Sequence, residues 1–147
     1  MMPEIRILLP RDASVLDRVA PGVFDRPIDP RWTREFLGDQ RHHLAVAIDA
    51  TVVVGMASAV HYVHPDKPPE LWINEVGVAA THRRTGLAGA LLHALFAHGR
   101  TLGCTQAWVL ADESNVAARS LYASAGGRAA AEPAIMYEFP LAEAGSP

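Results

Sequence analysis

Residues 82–88 read His82-Arg83-Arg84-Thr85-Gly86-Leu87-Ala88, and their types suit an anion. Gly86 and Ala88 are small enough to let a bound group approach the main chain. The stretch precedes an amphipathic run, so it opens a helix. The first N–H groups of a helix have no internal partner and lie at the positive end of its dipole. Such a terminus suits a pyrophosphate, and Arg83 and Arg84 add charge at the rim. Two common phosphate loops are excluded. No Lys-Ser/Thr follows the glycine, as the Walker pattern needs. The three spaced glycines of the dinucleotide fingerprint are also absent. The spacing is Arg-x-x-Gly-x-Ala, which on its own also fits an ordinary strand-to-helix turn.

Other reactive side chains carry less. His61-x-x-His64 straddles a strand end and a proline loop, and His42 and His43 point to opposite faces of an extended segment. Neither pair has helical i, i+4 spacing, so no metal site is expected. Cys104 follows Gly103 at a helix end, where the dipole raises a thiol pKa, and reads as a packing residue. Ser58 lacks the Gly-x-Ser-x-Gly elbow of serine hydrolases.

The elements that must position the loop follow from periodicity. Residues 5–8 alternate as a first strand. Asp12 is expected to cap a helix over 12–20. Asp29-Pro30 opens a second helix that turns Trp32, Phe36 and Leu37 inward and stops at Gly38. Residues 43–48 and 51–62 form an alternating pair joined at Asp49-Ala50, an antiparallel hairpin. Prolines 65, 68 and 69 force a loop. Residues 71–78 (LWINEVGV) are the next strand. Leu87, Leu91 and Leu95, beside Ala88, Leu92 and Phe96, make a long amphipathic helix ending near Gly103. A short buried strand is expected over 106–110, a helix capped by Ser114 or Asn115 and stopped by Gly126-Gly127, and a last strand over 135–141. The strand–helix–strand unit from Leu71 to Leu110 should be parallel and right-handed, and the strands before it antiparallel. The fold class is therefore mixed α/β: one mostly antiparallel sheet with helices on both faces.

Composition narrows the function. The 147 residues suit one domain spanning 1–147, with residues 142–147 (AEAGSP) as a frayed tail. Half the residues are apolar and a fifth charged, which excludes a disordered chain. Thirteen basic against 16 acidic side chains give −3, so nucleic acid loses weight as a partner and a cationic one gains it slightly. A lone cysteine excludes an internal disulfide. No segment is long and apolar enough to span a bilayer, and a cytoplasmic setting with no membrane partner is the expectation.

The loop and its context resemble the acetyl-CoA-binding motif of the GNAT superfamily of N-acetyltransferases. In that family Gln/Arg-x-x-Gly-x-Gly/Ala opens a long helix after a bulged strand. Here the strand is Asn74-Glu75-Val76-Gly77-Val78 and the loop is Arg83 to Ala88. The family's second motif also appears, as Asn115-x-x-Ala118-x-x-Leu121-Tyr122-x-x-x-Gly126. The likeness covers residues 44–141, while residues 1–40 are less diagnostic. It implies that main-chain N–H groups of Arg83, Arg84, Thr85, Gly86, Leu87 and Ala88 hold the pyrophosphate of acetyl-CoA, a cosubstrate. It implies that Val76 and Val78 bind the pantetheine through their main chain, with core packing as the compatible alternative. Val78 N–H is the expected oxyanion donor. Asn115 touches the pantetheine region or, equally, caps a helix. Tyr122 protonates the departing thiolate; a phenol with a pKa near 10 keeps its proton at neutral pH. Its plain alternative is a half-buried aromatic.

Glu75 is the candidate general base, because amines arrive protonated and a carboxylate beside the thioester takes the proton directly or through water. Alternation puts it on the face opposite Asn74 and Val76, and an acid inside an apolar strand is costly unless it is paired or functional. The plain alternative is a solvent-facing carboxylate. The segments 70–76, 82–84 and 111–122 are similar to the small GNAT-type aminoglycoside 3-N-acetyltransferases. Glu70, Glu75, Asp112 and Glu113 would then rim a pocket for a polycationic small-molecule amine. Polyamines, amino-acid-like amines and protein amines are the competing acceptors. A non-catalytic acyl-CoA-binding module and a structural dimerisation domain are the competing classes. A homodimer is expected by analogy with relatives, through the apolar C-terminal strand.

Overall fold

Alternating apolar residues build five strands, β1 (Glu4–Ile7), β2 (His42–Asp49), β3 (Val52–Tyr62), β4 (Glu70–Val78) and β5 (Ala107–Val109). The structure, a computed structural model, describes residues 2–142. The strands form one sheet in the order β1-β2-β3-β4-β5. The first four are antiparallel and β5 runs parallel to β4. The β2–β3 hairpin turns through Ala50 and Thr51, with Asp49 paired to Val52, one residue later than the sequence suggests. Ala50 adopts φ +57° there.

The described residues form three α-helices, two of them opened by a capping side chain. Asp29 accepts a 2.8 Å bond from the Arg31 N–H and Pro30 takes the first position of α1 (Pro30–Gly38). The amphipathic leucines form α2 (Leu87–Thr101), and Asn115 caps α3 (Val116–Ser124). The helix expected over 12–20 is instead a 3-10 segment over Pro10–Asp17. Pro10 starts it early, so Asp12 sits inside the first turn and reaches back to the Leu9 N–H at 2.8 Å. Trp32 does not turn inward. It is 61 % exposed, since five residues place it about 140° around the helix from buried Leu37.

The two faces carry different covers. On one, α2 buries Leu87, Leu91, Leu92 and Leu95, each contributing about 1.5–3 kcal/mol relative to exposure. Gly55 of β3 lies under Leu87 and Leu91, and Gly99 of α2 lies over Leu71. On the other, the Phe36 ring of α1 packs on His42 at 5.2 Å, and Val23 lies directly on Gly77. A helix on each face agrees with the expected architecture.

At the far end of α2, three histidines form a chain across three elements. His43 Nε2 lies 2.8 Å from His61 Nδ1, and His98 Nε2 lies 3.1 Å from His43 Nδ1. Each contact needs one ring to donate and the other to accept, so the chain has its ordinary strength with the central ring neutral. Burial and the two neighbouring rings lower His43 to about 4.

Two expectations at the C-terminal side fail. β5 is three residues long and only partly buried, rather than a buried strand over 106–110. Residues 135–141 make no sheet ladder among the described residues. Ile135, Met136, Tyr137, Phe139 and Leu141 are all at least 69 % exposed there. Of the tail expected over 142–147, residues 143–147 lie outside the described residues. No helix among the described residues is long and apolar enough to cross a membrane.

Candidate active site

The site begins with a fault in the sheet. Ser58 pairs with Glu75 and Ala59 with Ile73, so Asn74 is an extra residue, a β-bulge in β4. The bulge ends the partnership with β5, whose register covers only Leu71, Trp72 and Ile73. Beyond it β4 runs on to Val78 with its outer edge free, and a notch opens between the two parallel strands.

The hydrogen-bond phase shows what lines that notch. Ala79 N–H donates to Val54 of β3 at 2.8 Å. Main-chain groups alternate sides along an extended strand, so the N–H groups of Val78 and Val76 point away from β3, into the notch. The Val78 carbonyl points the same way and accepts from Arg83 Nε at 3.3 Å. Both valine side chains turn toward α2 and pack on the core. The packing and the main-chain readings of these residues therefore hold together.

At the head of the notch, residues 80–86 carry the chain from β4 into α2. Arg84 and Gly86 take positive φ of 61° and 81°. Gly86 occupies the cap position, a Cβ there would meet nothing within 4 Å, and no side chain caps the helix among the described residues. The first helical bond is Ala90 N–H to Gly86 O. The N–H groups of Leu87, Ala88 and Gly89 are thus without helical partners. The loop itself is fastened. His82 Nε2 donates to Asp49 Oδ2 at 2.8 Å, and Thr81 Oγ1 lies 2.8 Å from His82 Nδ1. Thr85 Oγ1 donates to His82 O at 2.7 Å. Asp49 is 33 residues away at the β2 end, which no local reading of the sequence would couple to the loop.

Glu75 shares a sheet face with Ser58, Gly77 and Trp72, opposite Val76, as alternation from the bulge requires. It is exposed, not enclosed among apolar groups. The cost of burial that the sequence suggested does not arise, because the bulge turns the side chain outward. Its neighbour Gly77 is pinned beneath the connection that leads into α1. A Cβ on Gly77 would lie 2.1 Å from Val23 O, so only glycine admits this approach. Glu70 opens β4 on the same face, with Oε1 3.9 Å from His64 Nε2.

The remaining candidates come from the β5–α3 side. Tyr122 is half-buried against the core. Burial pushes its phenol above the usual value, which keeps the proton on oxygen at neutral pH. Asn115 is a cap: its Oδ1 accepts from Ala118 N–H at 3.0 Å. Asp112 and Glu113 are exposed in the preceding loop and anchor it through their carbonyls, to Asn115 N–H and Arg119 Nη1. Cys104 is raised by burial, as a packing thiol would be. A separate cleft of about 710 Å³, lined from Leu16 to Pro30, holds none of these residues.

One group escaped the sequence reading. Tyr62, Trp72 and Trp108 come from three adjacent strands and stack on the Glu75 face, Trp72 and Trp108 with centroids 4.9 Å apart. Their places in the alternation of 51–62, 71–78 and 106–110 carried the signal, but only the strand register brings them together.

The family described as Acetyltransferase (GNAT) family matches residues 12–126. No curated protein is similar to the chain in sequence. Among solved structures, an aminoglycoside acetyltransferase, meta-AAC0020, from an uncultured soil metagenomic sample in complex with sisomicin is 18 % identical with a TM-score of 0.80, covering 96 % of this chain and 97 % of its own. Aminoglycoside N-acetyltransferase AAC(6')-Iy in complex with CoA is 21 % identical with a TM-score of 0.74, covering 92 % and 93 %. Ribosomal-protein-alanine N-acetyltransferase from Brucella melitensis biovar Abortus 2308 is also 21 % identical, with a TM-score of 0.71, covering 92 % and 98 %.

Proposed function

The chain belongs to the GNAT acetyltransferase family, and from that premise we propose that it carries an acetyl group from acetyl-CoA directly to a primary amine of an aminoglycoside or similar polycationic small molecule. The observation that carries this reading is the continuous main-chain surface made by the free edge of β4 and the uncapped start of α2. Acetyl-CoA supplies an activated thioester. The N–H groups over 84–89, with Arg83 and Arg84, bind its diphosphate, and the open space at Gly86 admits it. Val76 and Val78 N–H orient the pantetheine arm, and Val78 N–H also serves as the donor for the developing oxyanion. Asn115, its oxygen engaged as a cap, contributes by fixing the start of α3 near that arm. Glu75 accepts the proton of the arriving ammonium, and Tyr122 holds the proton that the departing sulfur takes.

Glu70, Asp112 and Glu113 add negative charge for a cationic acceptor, which supports aminoglycosides over neutral amines. Two of the structural neighbours above are aminoglycoside enzymes. The reaction belongs in the cytoplasm, where the cosubstrate is available, and it would confer antibiotic resistance. The exposed apolar stripe at Ile135, Tyr137, Phe139 and Leu141 supports a homodimer. Thiol release from acetyl-CoA, measured across aminoglycosides, polyamines and amino-acid amines, tests the reading. Turnover with aminoglycosides at the highest kcat/KM is expected. CoA binding without turnover on any amine would make the chain a binding module instead.

A further inference from the structure

On the acceptor face, Tyr62, Trp72 and Trp108 lie within 17° of parallel, with centroids 4.9 to 6.2 Å apart. They are half of the chain's six tryptophans and tyrosines, yet none belongs to the buried core, and Tyr62 is 38 % exposed. A contiguous patch of three large rings kept partly in water at the open side of a sheet is the kind of surface on which a ligand docks.

The register fixes what surrounds them. Tyr62 pairs with Glu70, Trp72 with Val60, and Glu75 with Ser58. Tyr62, Val60 and Ser58 alternate on one face, so Glu70, Trp72 and Glu75 share that face. Glu70 and Glu75 flank Trp72 along the sheet, their strand positions each about 7 Å from its own. His64 stacks on Tyr62 with centroids 6.4 Å apart. Its Nε2 is buried without a hydrogen-bond partner among the described residues, 3.9 Å from Glu70 Oε1. A buried polar atom left unmet is costly, so this corner of the face is held under strain beside Glu70.

We propose that Tyr62, Trp72 and Trp108 form the surface on which the acceptor docks, and that this surface selects amines borne on saturated rings over amines borne on flexible chains. The proposal deepens the acetyl-transfer reading above and rests on it. A saturated ring offers a flat array of C–H groups to the aromatic faces, and its ammonium groups meet both the ring quadrupoles and the flanking carboxylates. A flexible polyamine offers the charge without the plate. A neutral disaccharide offers the plate without the charge.

The competing role is structural: the stack could serve only to pin the three-residue β5. Two arms separate the roles. In a Trp32→Phe background the two remaining tryptophans both lie in the stack, so their fluorescence reports on it directly. Titration with sisomicin should quench it saturably, while spermidine and trehalose should give at most one-tenth of that affinity. Equal responses to sisomicin and spermidine, or no response to any of the three, would overturn the proposal. In steady-state kinetics, Trp108→Ala should raise KM for sisomicin about tenfold, with kcat and KM for acetyl-CoA within twofold of the parent. Trp108→Phe and Tyr62→Phe, which keep a ring, should stay within threefold. An unchanged sisomicin KM in Trp108→Ala, or a joint fall of kcat, acetyl-CoA affinity and melting temperature that Trp108→Phe does not rescue, would also overturn it. If the parent enzyme acetylates no amine, the acetyl-transfer reading fails and the fluorescence titration still decides the docking surface.

Discussion

The two ends of the site are built from different materials. The start of α2 offers main-chain N–H groups, and the side chains there fasten the loop from behind, as His82 does on Asp49. The face proposed for the acceptor offers side chains: Glu75, Glu70 and three stacked rings. The first end depends on backbone conformation and tolerates changes of side chain. The second depends on side-chain identity and can be retuned without disturbing the first. One scaffold can therefore keep a constant cosubstrate while its acceptor changes, and kinetics should separate the two regions.

The largest effect is expected on the second region, beside Glu75. Gly77→Ala would drive a Cβ to 2.1 Å from Val23 O, an overpacking that costs roughly 3 kcal/mol. The urea midpoint should fall accordingly, and acceptor turnover should suffer more than CoA binding. Tyr122→Phe removes a proton donor while keeping the ring that packs. Its kcat should drop about 100-fold, with CoA affinity by calorimetry within twofold. Loss of CoA affinity in parallel would make Tyr122 a packing residue.

A smaller effect belongs to the far end of α2, outside both regions. His43 is held at about 4 against an ordinary 6.5, mainly by burial. Below pH 6.5 the unfolded chain takes up a proton that the native chain refuses, so stability falls with acidity until the folded value is reached. From pH 7 to pH 5 the loss is about 2 kcal/mol. Denaturant unfolding at the two pH values should show it, and His43→Gln should reduce the difference, leaving the smaller share of His61 and His98, which burial also lowers. Glu75→Gln should lower kcat/KM about tenfold, most at low pH where the amine is hardest to deprotonate. An unchanged pH–rate profile would reassign the base. The smallest effect is at the cradle. Gly86→Ala meets no atom but forces alanine to φ +81°, a strain of about 1 kcal/mol. CoA affinity should fall roughly fivefold, with acceptor KM unmoved.

Local signals were legible in the sequence. Asp29-Pro30, the leucine repeat and Asn115 each mark a helix through interactions within a few residues, and each helix is where those residues placed it. The arginine–glycine loop and the bulge implied by the family pattern are likewise present. What stayed hidden depends on distant partners. Asp49 reaches His82 only after two strands fold back. The exposure of Glu75 follows from the bulge at Asn74, which resets the alternation that the residues alone suggest. The stack of Tyr62, Trp72 and Trp108 exists only in the register of three strands. Residues 135–141 show the converse: strand-like alternation predicts a ladder, but a ladder needs an edge to pair with, and none meets it among the described residues.

The most direct test is a crystal structure of the protein with CoA. The diphosphate should lie within hydrogen-bond distance of main-chain N–H groups between Arg84 and Gly89, with the pantetheine arm along Val76 and Val78. A diphosphate bound elsewhere, or a cradle filled by the protein's own side chains while CoA is present, would contradict it.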